Sequence, residues 1–208
     1  MTTMPPAAEV FQFETRPDPE DRLTEAGAAE RFARLHGDDV RYDFRRGRWL
    51  LWNGQRWAPD PDGAVTRLAL AFARAWQREA VQIDGREKRE ATIKAALKLE
   101  RRDALGSMLR LAADLRPIAD PGDQWDTDPW LLGTPNGVVD LRTGELRPGQ
   151  RTDRITMSTS VAYQPEARSE RWEETLMAIL VDVNTIDFVQ TAIGYSATGD
   201  TRRDCWFL

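Results

Sequence analysis

The chain has 208 residues, enough for one sizeable domain or two small ones. Its hydrophobic fraction of 41% and aromatic fraction of 9% exclude a disordered chain. The formal net charge of -5 excludes a protein that coats nucleic acid with its whole surface, so any phosphate contact must come from a local cluster of arginines.

Residues 1–22 are rich in Pro, Ala, Glu and Asp and read as a flexible lead-in. They hold neither the basic start nor the apolar centre of a secretion signal. The first helix follows Leu23, with Thr24 as its cap, Ala28, Phe32 and Leu35 on its apolar side and Gly37 at its end. Residues 40–58, VRYDFRRGRWLLWNGQRWA, favour strands and contain the turn pairs Arg46-Gly47 and Asn53-Gly54, which predicts a meander of two or three short strands. An amphipathic helix spans residues 63–83 through Val65, Leu68, Phe72, Trp76, Ala80 and Ile83. A polar helix over residues 85–102 has only Ile93 and Leu97 as anchors, and a third, starting near Ala104, packs Leu105, Met108, Leu109, Ala112 and Leu115 before Pro117 stops it.

Val138, Val139 and Leu141 predict a strand, Thr143-Gly144 a turn, and Glu145 to Arg147 the return. Another strand is expected over residues 155–161. Ser169 is placed to cap a helix carrying Trp172, Leu176, Ile179 and Leu180, and Asn184 a last helix with Ile186, Val189 and Ile193 inward. Residues 205–208, Cys-Trp-Phe-Leu, read as the start of a buried strand. Cys205 is the single cysteine, so no internal disulfide forms, which fits a reducing cytoplasm. No run of about twenty apolar residues predicts a membrane span. The fold class is α+β, mostly helical with short antiparallel hairpins.

Chemistry-bearing motifs are few. No GxxxxGK[ST] loop and no GxGxxG is present, so the 208 residues hold no visible nucleotide cradle. One His and one Cys fall short of a structural zinc site. His36, at a helix end, reads as an exposed or dipole-stabilised residue and not a catalytic base. Asp126 and Asp128 form an Asp-x-Asp pair of the kind that holds metal ions in polymerases, but the turn-rich run Asp-Thr-Asp-Pro favours backbone capping. The predicted catalytic and metal sites are therefore none.

The meander offers the one hint of nucleic-acid contact. Arg45, Arg46, Arg48 and Arg56 interleave with Trp49, Trp52 and Trp57, with Asp43 their only acidic opponent. Single strands are held by arginine on phosphate and aromatic faces on bases. Strand alternation puts Trp49 and Leu51 on one side and Arg48, Leu50 and Trp52 on the other, so some of these tryptophans must be core. The candidate nucleic-acid-binding set is Arg45, Arg46, Arg48, Trp52 and Arg56; the competing reading is a packed sheet with a solvated arginine edge.

Three segments resemble the phage/plasmid primase family, which shares its middle domain with the poxvirus-type primase/helicase. They are LTEAGAAERFARLHGDDVRYDFRRGRWLLWNGQRWAPD, WDTDPWLLGTPNGVVDLRTGELRP and the Gly-Tyr-x-x-Thr-Gly element at Gly194–Gly199. Trp125 departs slightly, standing where a smaller aromatic is more usual. The resemblance implies that residues 23–204 form the accessory domain before a superfamily 3 helicase motor, whose first strand begins at residues 205–208. It implies that ATP and magnesium serve that motor and that this chain has no cofactor and no activity alone. No primase chemistry is expected of residues 1–22, whose short acidic lead-in has no room for such a module in this numbering. Expected partners are single-stranded or forked DNA and further copies through the helicase ring, in the cytoplasm of a bacterial host and with no membrane contact. The alternative is a protein-interaction module that never touches nucleic acid.

Overall fold

A computed structural model describes residues 22–180 and 182–200. Residues 1–21 of the expected lead-in and the strand start at 205–208 lie outside the described residues.

Thr24 opens the first helix as its composition requires. Its hydroxyl accepts the Gly27 amide at 3.2 Å, and α1 runs Glu25–His36. The buried face is Gly27, Ala28, Ala29, Phe32 and Ala33. Leu35, expected on that face, is 54% exposed, because the small residues are what let α1 approach its neighbour closely.

The meander forms as β1 (Val40–Asp43), β2 (Arg48–Trp52) and β3 (Trp57–Pro59), with Tyr42 opposite Trp49 and Trp52 opposite Trp57. Asn53 holds the second turn by accepting the amides of Gln55 and Arg56. Period-two alternation then divides the side chains. Val40, Tyr42, Trp49 and Leu51 join the helical core, and Leu50, Trp52 and Trp57 face the other way.

α2 (Ala64–Ala80) buries Val65, Ala69, Phe72, Ala73, Trp76 and Ala80, and Asp60 caps its start by accepting the Ala64 and Val65 amides. α3 (Arg86–Leu99) is the expected polar helix, but its anchors are Thr92, Ala96 and Leu99, not Ile93 and Leu97. α4 (Arg102–Ala113) packs Leu105, Met108, Leu109 and Ala112 as their spacing predicts. A two-residue strand, β4 (Ala119–Asp120), then pairs parallel with β1 and gives the order β3-β2-β1-β4.

A second sheet is antiparallel: β5 (Leu131–Thr134), β6 (Gly137–Asp140) and β7 (Glu145–Arg147). The Thr143-Gly144 turn sits between β6 and β7, with Gly144 at φ 75°. β5 has no alternating pattern and was not legible in the sequence. The strand expected over 155–161 makes no ladder. It instead bridges the sheets, with the Trp57 amide on the Ile155 carbonyl and the Thr159 amide on the Gly133 carbonyl, each at 3.0 Å.

Two helices close the described chain, α5 (Glu170–Leu180) and α6 (Val183–Ser196). Ser169 accepts the Trp172 amide as expected. Asp182, not Asn184, caps α6 by accepting the Thr185 amide at 2.9 Å. Only Leu176 and Ile186 are buried, so Trp172, Ile179 and Ile193 stand exposed where an inward position was expected. The class is α+β. No described helix is long and apolar enough to cross a membrane.

Candidate nucleic-acid interface

The five residues picked from the sequence occupy opposite ends of one sheet. Arg45, Arg46 and Arg48 sit at the β1–β2 turn, whereas Trp52 and Arg56 sit at the β2–β3 turn. The four steps of β2 from Arg48 to Trp52 separate the groups by roughly 13 Å.

At the β1–β2 turn the organiser is Asp43, which is fully buried. Its Oδ1 accepts the Arg46 amide at 3.2 Å, and its Oδ2 lies 3.2 Å from the Arg46 guanidinium and 3.5 Å from Nε of Arg48. Arg46 also donates to the Gly122 carbonyl at 2.9 Å, and the Phe44 amide donates to the Asp120 carbonyl. The turn is thereby tied to the loop after β4. Gly122 stands at φ 86°, and a Cβ there would lie 2.1 Å from Asp43 Oδ1, so this position admits only glycine. Arg45 is exposed and makes no hydrogen bond or ion pair among the described residues. Three guanidiniums against one carboxylate leave this turn two positive charges in excess.

At the other end, the tryptophans are engaged by the protein's own arginines. Arg41 lies over Trp57 at 4.7 Å, Arg151 over Trp52 at 5.1 Å and Arg154 over Trp125 at 4.0 Å. The rings of Trp52, Trp57 and Trp125 meet edge to face in succession at 5.7 Å. Each arginine is anchored in turn. Arg154 donates to Asp120 at 2.7 Å, Arg151 pairs with Asp39, and Arg41 donates to the carbonyls of Gly37 and Val40. Burial lowers the Arg41 pKa, with Asp120 opposing it. Arg56 donates to the Thr156 carbonyl. This arginine–tryptophan stack joins the meander to the bridging segment. Arg151 and Arg154 were missed from the sequence because they lie far along the chain from the rings they cover, Trp52 and Trp125, with no local pattern linking each pair.

The remaining candidates have structural work. Asp126, at φ 56°, accepts the Thr156 amide at 2.6 Å, the Thr156 hydroxyl at 2.5 Å and the Met157 amide at 3.2 Å. Asp128 accepts its own turn's Trp130 amide at 3.0 Å and pairs with Arg142. His36 corrects the sequence reading: it is half-buried against Phe32 and Phe72, at centroid distances of 4.8 and 6.1 Å, and burial lowers its pKa against the opposing field of Asp39.

The D5 N-terminal-like family matches the chain over residues 29–181, from within α1 to the end of α5. The chain belongs to this family. Its members are N-terminal domains of phage and plasmid primase-helicases, so the family resemblance holds; the match takes in most of the first segment and all of the second, while Gly194–Gly199 lies beyond it. The family match takes in both sheets, the Asp43 turn and the arginine–tryptophan stack, while α6 follows it. No curated protein matches the chain.

Proposed function

We propose that this domain steers single-stranded DNA toward the ATP-driven motor of a replicative primase-helicase, using the β1–β2 turn as its phosphate contact. The observation that carries the reading is the charge at that turn: Arg45 with no hydrogen-bond or ion-pair partner among the described residues, and Arg46 and Arg48 sharing one buried carboxylate, all within a chain of net charge -5. Local positive charge on an acidic protein is what selective phosphate contact needs. The reading leaves ATP and magnesium to the motor and sets the domain in the cytoplasm beside replicating DNA.

Titration of a short fluorescent oligo-dT strand at several salt concentrations tests this. The observed binding constant should fall log-linearly with salt, by about 0.7 in slope per phosphate contact. Arg45→Glu should flatten that slope by about 0.7 to 1.4 without loss of stability, since Arg45 holds nothing else. A binding constant indifferent to salt would remove the phosphate contact. Arg46→Glu and Arg48→Glu are less clean, because both side chains also neutralise Asp43.

A second reading is an assembly module, and α5 and α6 favour it. Trp172, Met177, Ile179, Val183 and Ile193 are exposed, and α6 carries a single charged residue, Asp187. A helix apolar on several sides is ordinarily covered. Under this reading copies of the chain associate through these helices. Light scattering should give a mass that rises with concentration, and Met177→Glu with Ile193→Glu should hold the chain at its monomer mass of 23.7 kDa. A wild-type mass fixed at 23.7 kDa, with or without DNA, would reject it.

A further inference from the structure

A groove of about 480 Å3 opens beside the Asp43 turn, between the helix-facing side of the meander and α4. Its floor and walls are Tyr42, Phe44, Trp49, Leu109 and Ala113, with Arg110 and Asp114 at the rim. The volume falls in the range of small-ligand sites, about 300–1,000 Å3. Tyr42 packs edge to face against Phe44 and against Trp49, with centroids 5.0 Å apart in both cases. Tyr42 and Trp49 are half-buried and reach the helical core, but Phe44 is 49% exposed. Phe44 continues the Val40, Tyr42 face one step past the end of β1, and lines the groove together with residues of α4.

An exposed aromatic backed by two others accepts a flat, apolar partner. The charge around it narrows the choice. Arg45 and Arg46 follow Phe44 in the turn, Arg48 opens β2, and Arg110 lines the groove from α4. Asp43 is buried and already shared by Arg46 and Arg48, and Asp114 is the acidic group that faces the groove. Arg110 spends one donor on the Ser107 hydroxyl at 3.0 Å and keeps others for an anion. An aromatic face with the Arg110 guanidinium on its lining and Arg45 next to Phe44 in the chain matches an aryl group joined to anions, which is the chemistry of a nucleotide in a single strand. An apolar protein side chain would need neither arginine.

We infer that this groove takes one unpaired base, stacked on Phe44, with the adjoining phosphates directed to Arg45 and Arg110. The inference rests on the single-strand reading proposed above and adds where a base sits. Sequence reasoning passed over Phe44, Tyr42 and Arg110, since the first two look like ordinary strand formers and the third lies in a helix some sixty residues away.

The test uses the full chain and an oligo-dT strand in which one thymine is replaced by 5-bromouracil. Irradiation should cross-link that base within the peptide holding Tyr42, Phe44 and Trp49. In titrations, Phe44→Ala and Phe44→Leu should each weaken binding about 5- to 100-fold, the effect of losing one base–aromatic stack, while leaving the salt slope unchanged. Phe44→Leu keeps apolar bulk at the site, so a loss there cannot be blamed on misfolding; Phe44→Tyr should restore affinity. If both variants bind as tightly as the unaltered chain while Arg45→Glu still flattens the slope, the base site is overturned and the phosphate reading stands. If the unaltered chain does not bind the strand, both fall. If Phe44→Leu instead lowers the mass seen by light scattering and leaves DNA affinity intact, the groove belongs to a protein contact and the inference is overturned.

Discussion

Replacing Trp57 with alanine should lower the free energy of unfolding by about 3–5 kcal/mol, the largest single-residue effect expected in this fold. Trp57 is 1% exposed and sits at the centre of the three-ring series. Its indole donates to the Arg151 carbonyl at 3.0 Å, its ring lies under Arg41, and its edges meet Trp52 and Trp125. Truncation would leave a void among side chains fixed by their own anchors, so little collapse is available to fill it. In a domain of this size the loss corresponds to a fall in melting temperature of about 6–20 °C. Trp57→Phe, which keeps an aromatic but loses the indole donor, should cost roughly 1–2 kcal/mol. Equilibrium urea unfolding of the two variants measures both. A cost for the alanine variant under about 1 kcal/mol would mean that the stack does not join the meander to the bridging segment.

Asp43→Ala should cost about 2–3 kcal/mol of stability while leaving DNA binding at least as tight. The carboxylate is fully buried, accepts the Arg46 amide and guanidinium, and forms an ion pair with Arg48 at 3.5 Å. Removing one partner of such a group strands the others, which in a deep interior costs about 3–5 kcal/mol. Here the side chains of Arg46 and Arg48 are 38% and 34% exposed, so water recovers part of that loss. The same change adds one positive charge to the turn. If the turn contacts phosphate, Asp43→Asn should be less stable than the unaltered chain yet bind oligo-dT at least as tightly at low salt, with an equal or steeper slope. Weaker binding by a variant shown to be folded would separate the turn from DNA. Stability and binding thus test the same residue from two sides.

Much of the architecture was legible because its causes are local. Thr24 and Ser169 cap the helices they precede, Asn53-Gly54 and Thr143-Gly144 make the turns they promise, and the spacing of Leu105, Met108, Leu109 and Ala112 marks the buried side of α4. The alternation in β2 also gave the two faces of the meander. Misreadings arose where a distant neighbour decides. β4 is two residues long and exists only because β1 is beside it. The segment 155–161 has the composition of a strand, yet its hydrogen bonds are divided between Trp57 and Gly133. His36 stands at a helix end, where dipole reasoning puts it in water, but Phe72 of α2 half-covers it.

The candidate site followed the same division. The residue types that could meet nucleic acid, arginine interleaved with aromatics over residues 41–57, were fixed by the sequence, because side-chain chemistry does not depend on the fold. Which of them remain available was a tertiary matter. Burial of Asp43 claims parts of Arg46 and Arg48, and residues 151–154 return to the meander to place Arg151 on Trp52. Phe44 and α4 meanwhile line an open groove. A guanidinium has a fixed set of donors and an aromatic ring two faces, and the packed chain alone determines how many of them the protein already uses.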